Sequence, residues 1–194
     1  NHLYNVGYVQ SDGAMIQCNG INLNHTIIRY NWVHDHYAWY YGKTGIRADD
    51  LARNLIVHHN VVWNCGEKGI AMKGDRHQVH HNTCINNTWL DIVLWMAEEP
   101  FKEWAPNQHD FLIDQQNENS VAYNNLAPVL TGQMPYEIRN ADSLLLPVAE
   151  MSHNRYAGPE ILLGTSPLTF ADDETLLANP AAQDFRPSEN SPLI

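Results

Sequence analysis

The chain has 194 residues, 44% of them hydrophobic and only 17% charged; that is the length of one domain with enough apolar content for a substantial core. Lys and Arg number 11 against 22 Asp and Glu, a formal charge of −11, which argues against a nucleic acid as partner because phosphate binding needs a basic surface. No apolar run approaches the ~18 residues of a membrane span and no cleavable leader is visible, so no membrane partner is expected.

Three cysteines are present, Cys18, Cys65 and Cys84. An odd count without paired spacing is not a disulfide framework, and the absence of CxxC argues against a thiolate zinc site. They read as buried, reduced thiols.

A five-residue pattern, Asn-x-apolar-x-Asn/Asp, recurs along the chain. It begins at Asn1, Asn31, Asn60 and Asn82, with steps of 30, 29 and 22 residues. A weaker return is read at Asn124. Each unit follows a short apolar strand: residues 27–30, 55–59, 78–81 and 120–123. A further strand comes after each unit, at 13–17, 45–49, 69–73 and 91–95. A repeat of 22 to 30 residues is too short for a βαβ unit. Its period is two, so it reads as strands rather than helix. Strands that cannot bury a face alone must stack on their neighbours. The expected fold is therefore all-β, a parallel solenoid with three short strands per coil. Leu3, Val33, Val62 and Cys84 should stack inside it, as should Ile46/Ala48, Ile70/Met72 and Ile92/Leu94. The Asn column should sit at a corner, where amides bond turn backbone and one another.

Repeats such as 54–64 followed by Gly69-Ile70 resemble those of right-handed parallel β-helix proteins of the pectate-lyase-like superfamily. The stretch from Asn179-Pro180 to Ser191-Pro192-Leu193-Ile194 resembles the close of many secreted members. The resemblance covers residues 1 to about 130 and this terminal stretch. It implies a right-handed β-helix and a secreted or periplasmic location. Residues 1–130 are expected to form the coils, with an inserted loop at about 96–118. Residues 131–194 are expected to form a terminal coil and an irregular C-terminal cap. The chain opens inside a coil motif, so N-terminal coils are expected elsewhere, in a remainder of the same protein.

Alternate residues of the strands at 13–17, 45–49, 69–73 and 91–95 should face outward. That places Gln17, Arg47, Asp49, Lys73 and Trp95 on one strip, with Met15, Ala71 and Val93 between them. Cations suit the carboxylates of an acidic sugar, and an aromatic face suits its ring. The turn at 34–43 packs His34, His36, Tyr37, Trp39 and Tyr40 into a few residues, which suits a sugar subsite. His34 and His36 could share a metal with Asp35 or Asp49, but no further spacing supports it, and no metal site is assigned. His58-His59 and His80-His81 hold equivalent repeat positions and read as a structural ladder beneath Arg29, with one member of each pair facing out.

The superfamily resemblance implies a polysaccharide-degrading enzyme, foremost a lyase cleaving an acidic polysaccharide by β-elimination. Lys73 or Arg47 would be the base, His36 or Tyr37 the proton donor, and cations or Ca²⁺ would stabilise the enolate. Gln17, His34, Tyr37, Trp39, Tyr40 and Trp95 would bind the sugar. The alternatives are a glycoside hydrolase using Asp49, Asp50 or Asp75, and a non-catalytic sugar-binding or structural β-helix such as a tailspike segment.

Overall fold

The structure is a computed structural model. It describes residues 1–9, 12–20, 22–37, 42–49, 52–95, 119–127, 136–139, 150–152, 155–156, 177–179 and 182–189.

The chain lays down strands in groups of three. The first rung is β1 (His2–Val6), β2 (Gly13–Cys18) and β3 (Ile27–Arg29). The second is β4 (Trp32–His36), β5 (Lys43–Ala48) and β6 (Ile56–His58). The third is β7 (Val61–Cys65), β8 (Lys68–Lys73) and β9 (Gln78–His80). The fourth is β10 (Thr83–Ile85), β11 (Leu90–Trp95) and β12 (Val121–Tyr123). β13 (Leu126–Ala127), β14 (Tyr136–Arg139) and β15 (Glu150–Ser152) form a fifth, and β16 (Arg155–Tyr156) follows.

Every third strand joins the same sheet. Sheet 1 has the order β1-β4-β7-β10-β13-β16, sheet 2 β2-β5-β8-β11-β14, and sheet 3 β3-β6-β9-β12-β15. Neighbours within all three sheets are parallel, as in the pairs β1/β4, β2/β5 and β3/β6. This all-β arrangement, in which the chain visits three stacked sheets in turn, is consistent with a parallel β-helix. Among the described residues there is no α-helix, and no helix is long and apolar enough to cross a membrane.

The register stacks like on like. Leu3, Val33, Val62 and Cys84 pair in one row, and the last three are fully buried. Ile46, Ile70 and Ile92 form a second inward row, and Ala48, Met72 and Leu94 a third. Cys65 and Cys84 are buried and all three thiols are free; burial pushes Cys65 and Cys84 well up, so neither is a reactive thiolate.

Two corners in each rung make the turns. Tyr30, His59, His81 and Asn124 have φ of 55°, 54°, 53° and 52°; Asn5, Asp35, Asn64 and Asn86 have 54°, 56°, 53° and 55°. A left-handed residue costs an L-amino acid roughly 1–2 kcal/mol, with Asn and Asp tolerating it best. The compensation lies one residue on, in a buried asparagine ladder. Asn1 Nδ2 donates to Asn31 Oδ1 at 2.8 Å, Asn31 to Asn60 at 2.9 Å, Asn60 to Asn82 at 3.0 Å and Asn82 to Asn125 at 3.0 Å. The fourth return is thus Asn125; Asn124, expected in this column, is the left-handed corner residue beside it. Gly74 serves a tighter bend: its φ is +102° and a Cβ there would lie 1.8 Å from the Ala52 carbonyl oxygen, so no side chain fits.

Near the C-terminus β17 (Leu177–Asn179) and β18 (Asp184–Pro187) form an antiparallel pair. Leu177 and Phe185 pack against Trp63, Ile85 and Leu126, covering part of the outer face of sheet 1. The loop expected at 96–118 lies outside the described residues.

Candidate functional site

Sheet 2 carries the charges. Parallel pairing sets Gln17 beside Arg47, and Arg47 beside Ala71 on the next rung. Asp49 follows β5, its N–H donating to the Cys18 carbonyl at 2.9 Å. Arg47 Nη1 donates to Asp12 Oδ1 at 2.8 Å, and its Nη2 is ion-paired with Asp49. Lys73 Nζ lies 3.0 Å from Asp49 Oδ1, and Gln17 Nε2 is 3.4 Å from Asp49 Oδ2. Four of the strip residues expected from sequence, Gln17, Arg47, Asp49 and Lys73, are therefore brought together, and Trp95 pairs in register with Lys73.

The strip is less open than expected. The side chains of Arg47 and Asp49 retain 13% and 8% of their exposure, and Lys73 retains 23%. Burial alone raises the Asp49 carboxyl, but Lys73 and Arg47 outweigh it and hold Asp49 below the usual carboxylate range. Burial lowers the Arg47 guanidinium, but Asp12 and Asp49 outweigh it, so it stays charged. Ala71 and Val93, expected as exposed members of the outward column, are buried instead in a small cluster with Leu90 and Trp89. The reason is local: Lys68 lies 4.3 Å over the Trp89 ring and pairs with Glu67, so this part of the outer face is covered by its own side chains.

His36 and His34 do not share a face. The left-handed Asp35 between them breaks the alternation of the strand. His34 stays on the outer face of sheet 1. His36 turns in and is buried, with Nδ1 3.0 Å from the Thr44 carbonyl, and burial lowers its imidazolium. It is not an exposed proton donor, and the geometry for a shared metal with His34 is absent. Tyr37 is half exposed, 5.9 Å from the Tyr8 ring. Trp39, Tyr40 and Asp50 lie outside the described residues. Asp75 is buried.

On the outer face of sheet 1, His34, expected from sequence, is joined by His2, Tyr4, Trp32 and Trp63, which the sequence reading did not single out. His34 Nδ1 lies 2.7 Å from Asp35 Oδ2, and His34 Nε2 lies 2.6 Å from His2 Nε2. With Nδ1–H donated to the carboxylate, His34 Nε2 accepts from His2 Nε2–H. Burial raises the Asp35 carboxyl, but bonds from His34 and Asn64 outweigh it and lower it. The His34 ring is stacked between Trp63 at 3.9 Å and Tyr4 at 5.4 Å. Trp32, 43% exposed, meets Trp63 and Phe185 edge-on. A groove of about 370 Å³ runs beside it, lined by Trp32, Val61, Gln183, Asp184, Phe185 and Arg186. The signal was present in the alternation His2/Tyr4, Trp32/His34 and Trp63, all on one face.

Sheet 3 carries the expected row of Arg29, His58 and His80, which Tyr123 continues. Both members of each histidine pair reach the surface, since the left-handed His59 and His81 stand at the corner. Burial and neighbouring cations lower His58 and His59, and lower His80 to about 4.

The Ca²⁺ suggested by the superfamily resemblance does not fit the strip on sheet 2. Calcium takes six to eight oxygen ligands, whereas Asp12 and Asp49 are already held by Arg47, with Lys73 adjacent. Scans of family models, curated proteins and solved structures return no match to this chain.

Proposed function

We propose that this chain is a right-handed parallel β-helix of the pectate-lyase-like kind, secreted or periplasmic, that cleaves an acidic polysaccharide by β-elimination. The observation that carries this reading is the alternating row Asp12–Arg47–Asp49–Lys73 on the outer face of sheet 2. Two cations of different character stand there within reach of one carboxylate. Arg47 cannot act as a base, because a guanidinium is not deprotonated in proteins. It receives the uronate carboxylate and stabilises the negative charge that develops on it. Lys73 is the more exposed cation and can give up its proton, so it takes the base role. Its free amine removes the proton α to the uronate carboxyl. The electron pair forms the new carbon–carbon double bond and the glycosidic carbon–oxygen bond breaks. The Lys73 ammonium then protonates the leaving oxygen. Asp49 orients both cations.

Hydrolysis is less well supported. A glycosidase needs one carboxyl that keeps its proton, whereas Asp49 is held ionised by two cations. A second reading, sugar binding without turnover, is favoured by the aromatic groove on sheet 1, where Trp32 offers a ring face beside Asp184 and Arg186.

The test is incubation with pectate, alginate, chondroitin sulfate, hyaluronan and neutral glucans, following ultraviolet absorbance and reducing ends together. Both signals rising on a uronate polymer supports elimination. Reducing ends alone overturn it in favour of hydrolysis. Retention on immobilised polymer without turnover assigns the chain to binding.

A further inference from the structure

We propose that His58, His59 and His80, at the outer corner of sheet 3, form a binding site for a borderline divalent transition-metal ion, with Zn²⁺ as the reference case. The proposal is independent of the polysaccharide reading and uses a different face. Among the described residues this is the only group of three or more His, Cys, Asp or Glu whose ligand atoms come together; one nitrogen from each ring lies within 4.8 Å of the others.

The donors are placed by the backbone. His58 and His80 are register partners on adjacent rungs. Their rings stack at 4.9 Å with 5° between planes. His59 is the left-handed corner residue after His58. That conformation brings two consecutive side chains to one surface, with His58 Nδ1 2.7 Å from His59 Nδ1. The buried Asn60–Asn82 pair follows at once and anchors the corner. The arrangement recurs one rung on, where His80 Nδ1 is 2.9 Å from His81 Nδ1 and the His59 and His81 rings stack at 5.0 Å. A stacked column alone needs no such convergence of nitrogens.

The donor set decides the class of ion. Three imidazoles and no carboxylate select Zn²⁺, Cu²⁺ or Ni²⁺ over the oxygen-seeking Ca²⁺ and Mg²⁺. Tetrahedral Zn²⁺, with nitrogens at about 2.0–2.1 Å, sets them about 3.3 Å apart. The stacked His58 and His80 planes must therefore tilt towards one another for both lone pairs to reach one ion, a movement of partly exposed rings. Three protein ligands leave a fourth position for water. Tyr123 stacks on His80 at 4.9 Å and buttresses that ring. Arg29, on the preceding rung, has its guanidinium 5.7 Å from the Tyr30 ring centre.

The test is titration of metal-stripped chain with ZnCl₂ by calorimetry, with CaCl₂ in parallel and the histidine ring nitrogens followed by NMR. One equivalent of Zn²⁺ should bind with the signals of His58, His59 and His80 moving first, and CaCl₂ should give no heat. His58→Ala and His80→Ala should each weaken binding at least tenfold, while His25→Ala, on another turn, should leave it unchanged. NMR of the unmodified chain reads the site even if a variant fails to fold. No binding, binding unaffected by either substitution, or shifts centred on other histidines would overturn the proposal.

Discussion

The outer faces of sheets 1 and 2 are built on the same backbone and the same spacing, yet they solve the stacking problem in opposite ways. Neighbouring rungs are ~4.8 Å apart, so each side chain meets its equivalents above and below. On sheet 1 the equivalents are rings, Tyr4, His34 and Trp63, and they stack on one another. On sheet 2 Arg47 stands in register with uncharged Gln17 and Ala71, its carboxylate partners Asp12 and Asp49 come from neighbouring positions, and like charge beside like would repel. There the sign alternates, Asp12, Arg47, Asp49, Lys73, and each charge is satisfied by a neighbour. On the proposed function, one face would take the flat side of a sugar and the other would exchange an internal carboxylate for a bound one.

The sharpest way to break this contrast is to remove the proposed base, Lys73, from sheet 2. Lys73→Ala should lower the rate of unsaturated-product formation by about 10²–10⁴-fold, the usual weight of a general base, while Trp32→Ala should chiefly weaken binding. Equal losses in kcat from both would mean that sheet 1 does the chemistry.

A buried carboxyl gives the next largest effect, on stability. Burial raises Asp91 from 3.8 to about 7, against the bonds from Asn87 that lower it. The folded state then keeps a proton that the unfolded chain releases. Stability should fall as pH rises from about 4 through 7, by up to about 4 kcal/mol on the scale of 1.36 kcal/mol per pKa unit. Asp91→Asn can still accept from Asn87 Nδ2 and should flatten that slope in urea unfolding across the window; an unchanged slope would refute the assignment.

Breaking the corner between sheets 3 and 1 should cost somewhat less. Asn60 accepts from the Asn31 N–H at 3.1 Å and from Asn31 Nδ2, and donates to the Ile28 carbonyl at 3.0 Å. Asn60→Ala leaves buried partners unmatched, at about 1–3 kcal/mol for each group. Urea unfolding should register a loss of a few kcal/mol. Trp32→Ala should be the mildest for folding, within about 1 kcal/mol for a ring already 43% exposed, yet it should weaken retention on immobilised oligosaccharide. Undiminished retention would exclude the sheet 1 groove as the subsite.

The repeat was legible in the sequence because register makes a fold signal out of spacing. Residues 22 to 30 apart stand side by side, so Val33, Val62 and Cys84 betray one another. The corner conformations were not legible, and the misplacements of Asn124 and His36 arise there, whereas those of Ala71 and Val93 come from the side chains that cover sheet 2. In three rungs the residue before the ladder asparagine is Tyr30, His59 or His81; in the fourth it is itself an asparagine, which moved the column by one. Asp35 likewise reverses the face of His36, a change that strict alternation cannot anticipate. Phe185 and Leu177 reach sheet 1 from far along the chain, with no local pattern to announce them.

The asparagine ladder has a consequence for how such a molecule can change. Its links hold at 2.8 to 3.0 Å whether 22, 29, 30 or 43 residues separate the partners. The side-chain amides thus measure height along the stack, and the chain between them is free to vary in length. Extra residues can be accommodated in a turn without disturbing any strand above or below it. A protein of this kind can acquire new contacts to a ligand by lengthening one loop, while its core keeps the same row of Val and Ile side chains.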